Sequence, residues 1–352
     1  MKSIGGALLV IALAPLLSKG AFLDDLAAKS NKTEGSPFAK GGDIILKISS
    51  REYVHIFTNV NTESTFELTE RSIARILCVG GGGPGGRCHS GYGIPGGGGG
   101  AGGFVETNNV VLTVGGYAIN VGKGGVPSAA GVANNSGGQS AIVKRGWTDI
   151  VRAHGGGGGG TPSSYGALES ADDPRCGRDG ASGGGSCAWD YGDKTGIGGN
   201  ALYEGAEGNR GGRAKGGKEG VGGTNNRGGG GGGAGAAGND NNAATNPGKG
   251  GDGLSSDITG DELWYAGGGA GGFKWESSSD NNIAGGLGGG GSVKFDRSAG
   301  ALAAWDAVPG TGGGGYGGTF YNNADSRVGI GADGIVIVRV VRAPEGFKVS
   351  VR

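Results

Sequence analysis

Runs of consecutive glycine dominate this sequence. Residues 96–100, 155–160 and 228–233 are glycine throughout, and 91 of the 352 residues are glycine. Ordering a glycine forfeits more backbone freedom than ordering any other residue. At roughly 1–2 kcal/mol per residue, these glycines together forfeit on the order of 100 kcal/mol. Such a chain is either never ordered or ordered in a form that exploits missing side chains. Uniform disorder fits poorly, because 5 Trp, 9 Tyr and 9 Phe accompany the glycines and disordered chains are poor in such residues.

The segments between the runs read as β-strands. "YVHIFT" at 53–58 and "STFELT" at 64–69 alternate apolar and polar residues with period two. "ARILCVG" at 74–80 is nearly continuous in apolar residues, as a doubly buried strand is. "NNVVLTVGGYAINVGKGG" predicts two strands about a Gly115-Gly116 turn, and "SAIVKRGWTDIVRAH" predicts two more, bent at 144–148. "GIVIVRVVR" near the end is the strongest strand signal, with "GFKVSVR" as a hairpin partner. A short helix is predicted over Leu23–Lys29.

Between residues 155 and 334 the chain is mostly glycine, small and polar residues. A structureless loop of that length is foreign to a compact domain. Its position argues against a tail, since the strongest strand follows it and the best partner of that strand precedes it. A glycine chain can instead form an extended helix of three residues per turn, rising about 3.1 Å per residue, with no internal hydrogen bonds. Such helices pack side by side, each donating its N–H groups to neighbours. An enclosed helix needs glycine at every position; one at the rim needs it only on its inward faces. The strict Gly-X-Y period of collagen is absent.

Five segments in order resemble a known family: "YVHIFTNVNTESTFELTERSIARILCVGGGGPGG" at 53–86, "GGGGGAGGF" at 96–104 with the following "LTVGGYAINVGKGG", "GGQSAIVKRGWTDIVRAHGGGGGG", "GDGLSSDITGDELWYAGGGAGG" at 251–272, and "GADGIVIVRV". Together they are similar to the glycine-rich domain of phage tail-fibre proteins and many secreted microbial proteins, over about 53–341. The resemblance implies an all-β fold, a small β-sandwich with an inserted bundle of packed polyglycine II helices. In phage adhesins of this kind, loops at the bundle tip contact the host. The expected division is a signal peptide at 1–20, a leader or subunit connector at 21–43, a sandwich with the first glycine-rich loops at 44–154, the bundle at 155–334 and completing strands at 335–352.

The first twenty residues, "MKSIGGALLVIALAPLLSKG", read as a secretory signal, and no later apolar run is long enough to span a membrane. Cys78, Cys88, Cys176 and Cys187 are candidates for disulfides in an exported protein, with Cys176–Cys187 preferred and three pairings open. Asn31 and Asn134 stand in N-x-[ST] sequons and are candidate glycosylation sites. Lys and Arg balance Asp and Glu at 31 each, which argues against a nucleic-acid partner held by bulk charge. No catalytic constellation, metal ligand set or cofactor motif emerges. The match of 91–96 to GxGxxG contains Pro95 and opens no helix. Calcium at Asp252, Asp257 and Asp261 is weighed against solvated turns. His89, Tyr92, Trp189 and Tyr191, in the loops after the first glycine runs, are candidate surface-recognition residues. Trp264, Trp275 and Trp305 are expected to be packing residues. The expectation is a non-enzymatic, secreted structural or adhesive protein whose partner is itself, in a fibre joined by strand exchange, or a surface glycan or protein. A monomeric glycan- or protein-binding module is the alternative, and an ice-binding surface the third reading.

Overall fold

The computed structural model describes residues 21–30, 35–88, 94–128, 138–139, 141–162, 173, 175–188, 196–203, 207–214, 227–241, 248–274, 281–296, 301–321, 324–325 and 327–343. Among them lie one helix, α1 (Ala21–Ala28), and the strands β1 (Ala39–Lys40), β2 (Ile44–Ser49), β3 (Glu52–Phe57), β4 (Ser64–Leu68), β5 (Ser72–Val79), β6 (Phe104–Leu112), β7 (Gly115–Asn120), β8 (Ala141–Arg145), β9 (Thr148–Ala153), β10 (Leu254–Ser256), β11 (Leu263–Tyr265), β12 (Asn281–Ile283), β13 (Ser292–Asp296), β14 (Ala301–Trp305), β15 (Phe320–Tyr321), β16 (Ala324–Asp325) and β17 (Ile335–Arg342).

Two antiparallel five-stranded sheets make the base, one ordered β1-β4-β7-β8-β9 and the other β2-β3-β17-β5-β6. Alternation in β4 and β7 sends Phe66, Leu68, Tyr117 and Ile119 inward against Phe57, Ile76, Cys78, Val336, Val338 and Val340 of the second sheet. The second sheet is covered on its other face too. There Ile56, Leu77, Val79, Ile335 and Ile337 meet Phe22 and Leu26 of α1, with Ala101, Ile258 and Tyr265. Burial on both faces is why β5 and β17 read as apolar runs. β17 sits between β3 and β5, with Val338 opposite both His55 and Ile76. The middle strand of this sheet is therefore supplied from beyond the glycine block.

The glycine runs form a bundle of extended helices joined by backbone hydrogen bonds that recur every third residue. Residues 96–103 are its centre. Gly96, Gly99 and Gly102 donate to Gly318, Gly315 and Gly312; Gly97, Gly100 and Gly103 donate to Gly160, Gly157 and His154; Gly98 and Ala101 donate to Gly229 and Gly232. The carbonyls of the same segment accept from three other helices: 80–86, 182–185 and 269–272. Six neighbours thus surround one helix, and each face is reached once per turn.

Space, rather than left-handed backbone, demands glycine here. None of the glycines in 80–86, 96–103, 155–160 or 228–233 has positive φ. A Cβ on Gly99 would lie 2.2 Å from the Gly83 carbonyl oxygen, and one on Gly230 would lie 2.0 Å from that of Lys249. Ala101 is the exception within the central helix, and its methyl joins the apolar cluster between bundle and second sheet.

Several expectations are amended. The bundle takes its centre and the 80–86 helix from before residue 155, so that boundary does not separate it from the sandwich. The inserted block also carries sheets of its own, β10–β11, β12-β13-β14 and β15–β16. β6 and β7 are not a hairpin. They enter different sheets, Gly115 (φ +127°) opens β7, and the Tyr117 hydroxyl holds the corner by bonding both N–H and C=O of Thr113 at 2.8 Å. The leader is not a loose connector in the structure, because Phe22 and Leu26 are buried and β1 pairs with β4. The segment "GFKVSVR" lies outside the described residues.

Gly99→Ala is expected to remove about 3 kcal/mol or more of stability, through overlap with neighbouring backbone that has no rotamer to change. Gly35 meets nothing within 4 Å, so Gly35→Ala should stay within about 0.5 kcal/mol of the parent. Chemical denaturation of the two variants makes the comparison. His55 generates a second expectation. Burial lowers its pKa from 6.5, opposed by the Gly41 carbonyl that its Nδ1 meets at 2.7 Å. The neutral ring is the folded form, so the unfolded chain takes up a proton first. Stability should be full above about pH 6.5 and fall as pH drops below it. Melting curves across this range should show that limb in the parent and lose it in His55→Leu.

Candidate functional site

The β10–β11 hairpin places Leu263 and Tyr265 on one face and Glu262 and Trp264 on the other. Tyr265 is fully buried against Phe22, edge to face at 5.6 Å. Trp264 is consequently turned out and stays 42% exposed. At the end of β14, Trp305 pairs in register with Ser292 and is 39% exposed.

Both indoles line one groove of about 510 Å³, together with Phe22, Glu262, Leu287 and Asp306. The glycine strip 285–290 forms part of its wall. Gly288 and Gly289 there have φ of +92° and +86°, and a Cβ on Gly289 would lie 2.1 Å from Thr311 Oγ1. Glycine therefore both permits the turn and keeps the wall thin. The volume is that of a small-ligand site. Glu262 is oriented by the Ser255 hydroxyl, which donates to it at 2.9 Å. Glu262 and Asp306 are the charged lining residues, and no Lys or Arg is among the lining. The arrangement offers flat apolar faces beside hydrogen-bond acceptors, which suits binding a neutral polyhydroxylated ligand.

A second hollow, of about 320 Å³, lies over Glu52, Arg75, Asp257 and Arg339. Arg75 bonds Asp257 at 2.6 Å and Arg339 bonds Glu52 at 2.7 Å. Its charges already satisfy one another, and Arg75 holds the Asp257 carboxyl below the usual carboxylate range.

The aspartates weighed for calcium are not brought together. Asp252 bonds Lys249 at 3.1 Å and accepts the Leu287 N–H at 2.9 Å, Asp257 pairs with Arg75, and Asp261 pairs with Lys29. No group of three or more His, Cys, Asp or Glu suited to a metal occurs among the described residues. Cys78, Cys88, Cys176 and Cys187 are buried thiols rather than disulfides in the structure. Cys78 faces the sandwich core, and burial pushes its thiol up out of the reactive range. Trp189, Tyr191, His89, Tyr92, Asn31 and Asn134, and also Trp275, lie outside the described residues. Among the described residues no helix is long and apolar enough to cross a membrane.

Trp264 and Trp305 are thus groove residues, where packing was expected. For Trp264 the signal was present in "DELWYAGG". Period-two alternation puts Trp264 with Glu262, opposite a tyrosine that leads into glycine. For Trp305 no local pattern announces it, because the strip 285–290 that lines the groove with it lies fifteen to twenty residues earlier in the chain.

No curated protein matches this sequence. Residues 58–341 match the family model of the glycine-rich domain. With its sandwich base, its three-residue hydrogen-bond register and a match across most of its length, this chain belongs to the glycine-rich domain family.

Proposed function

We propose that this protein is a secreted, non-enzymatic structural or adhesive module. In this reading the polyglycine bundle is a stiff support and the Trp264–Trp305 groove is a contact surface for a carbohydrate. The observation that carries the reading is the six-neighbour packing about residues 96–103, which builds a rigid body from residues with no reactive groups. Secretion is supported by the signal-like sequence at 1–20. A carbohydrate suits the groove because sugar rings present an apolar face to indole and hydroxyls to carboxylates.

The fibre reading draws less support. α1 and β1 are occupied within their own chain. The edge strands β2 and β6 each carry a register irregularity, at 47/49 on β2 and opposite 74/76 on β6. Such breaks discourage strand addition. The protein should therefore appear as single particles in negative stain at high concentration, whereas regular filaments would restore strand exchange.

Trp264→Ala and Trp305→Ala test the groove. On a panel of immobilised polysaccharides, each should weaken retention at least about tenfold, equivalent to roughly 1.4 kcal/mol. The melting temperature should hold, since both indoles are substantially exposed. Retention unchanged in both variants would remove the groove from the proposal.

A further inference from the structure

We propose that Cys176 and Cys187 are the two ends of an intrachain disulfide, a covalent staple between antiparallel helices of the bundle. The backbone register carries the inference. Gly184 N–H donates to the Arg178 carbonyl at 2.8 Å, and Cys187 N–H donates to that of Arg175 at 3.0 Å. One segment rises as the other descends, in steps of three residues. Cys187 therefore lies beside the peptide that joins Arg175 to Cys176. That juxtaposition sets the two residues side by side on adjacent helices, which a disulfide, spanning about 4.4–6.8 Å between Cα atoms, requires. Both side chains are buried, at 1% exposure each. Burial pushes the Cys187 thiol up, Arg175 opposes that, and the Cys176 sulfur adds to it, so the two sulfurs are within electrostatic reach.

The same register removes Cys78 as a partner and turns the Cys88 sulfur to another helix. Cys78 faces the sandwich core among Ile76, Val336 and Val338. Cys88 stands ten residues further along an extended segment, about 30 Å away at roughly 3 Å per residue, with its sulfur against the Thr319 carbonyl at 3.5 Å. Cys176 and Cys187 pack against Gly160, whose Cβ position would meet Arg175 O and Cys187 N at 2.2 and 2.7 Å. Gly160 is itself seven residues beyond Ala153, where the sandwich strand β9 ends. Cys78 is therefore at the wrong end of the bundle to reach either.

Bond formation needs an oxidant, and a small-molecule or protein disulfide supplies it. One cysteine loses its proton and its thiolate attacks the oxidant, displacing one thiolate. The second cysteine, deprotonated in turn, attacks the mixed disulfide and displaces the other. Two S–H bonds are replaced by one S–S bond, and the oxidant leaves as two thiols. The closed bundle shields both sulfurs, so the exchange precedes final packing of the helices. The bond then closes a ring of twelve residues, 176–187, within the bundle.

The test uses the full chain, refolded from denaturant with and without oxidised glutathione, which keeps it independent of secretion. Free thiols are then blocked with N-ethylmaleimide in denaturant without reductant, and the peptides are mapped. The expected result is a Cys176–Cys187 linked peptide, with Cys78 and Cys88 alkylated. The oxidised form should melt roughly 5 °C above the thiol form. Cys176→Ala and Cys187→Ala should each melt at one temperature whether or not oxidant is present. Alkylation of all four cysteines after oxidative refolding, or a link that includes Cys78 or Cys88, overturns the proposal.

Discussion

A hydrogen bond from one extended glycine helix to the next, repeated at every third residue, is what the rest of this molecule depends on. It forms only where two backbones approach so closely that a Cβ would overlap a carbonyl oxygen. The Gly99 N–H reaches Gly315 O at 2.8 Å, and the next donors on that face are Gly96 and Gly102. Each such bond contributes modestly, about 1 kcal/mol net. Their number offsets the large entropy that ordered glycine forfeits. No bond is optional, because a buried backbone group without a partner carries its full desolvation penalty. This makes the bundle cooperative and intolerant of side chains in its interior.

The bundle and the sandwich are one structure in physical terms. The second sheet has its middle strand, β17, delivered from the far side of the glycine block, so it is incomplete until the block has closed. In return its outer face, with Ile56, Leu77 and Ile337, gives the bundle an apolar floor on which Ala101, Ala234 and Tyr265 rest. α1 seals that seam through Phe22 and Leu26. The leader is therefore part of the fold's apolar closure. A smaller third cluster, with Phe273, Ile283, Val293, Phe295 and Tyr316, fastens the β12-β13-β14 sheet to the side of the bundle.

Side-chain chemistry gathers where glycine gives way to large residues. The Trp264–Trp305 groove lies against the glycine strip 285–290, next to Phe22. Its polar groups, Glu262 and Asp306, can accept hydrogen bonds from a ligand, and its walls are flat. The charged hollow over Arg75 and Arg339 differs in kind, because ion pairs with Asp257 and Glu52 leave it little to offer a partner. The structure thus joins a closely packed glycine bundle to a small amphipathic groove.

Much of the base was legible in the sequence. Alternation in "STFELT" and the apolar runs of β5 and β17 identify strands, and the order of those two runs about the glycine block ties its ends together. The need for packed glycine helices follows from composition, since no other ordered state suits so many residues without side chains. What the sequence could not decide is which run is central. Every glycine run presents the same donors and acceptors at the same period of three, so 96–103, 155–160 and 228–233 are locally equivalent. Only the tertiary arrangement of their connections surrounds 96–103 and 228–233 with six neighbours each. The sharing of one groove by Trp264 and Trp305 was likewise settled in three dimensions. Lateral register between helices is a property of the whole array, and no stretch of the chain carries it alone.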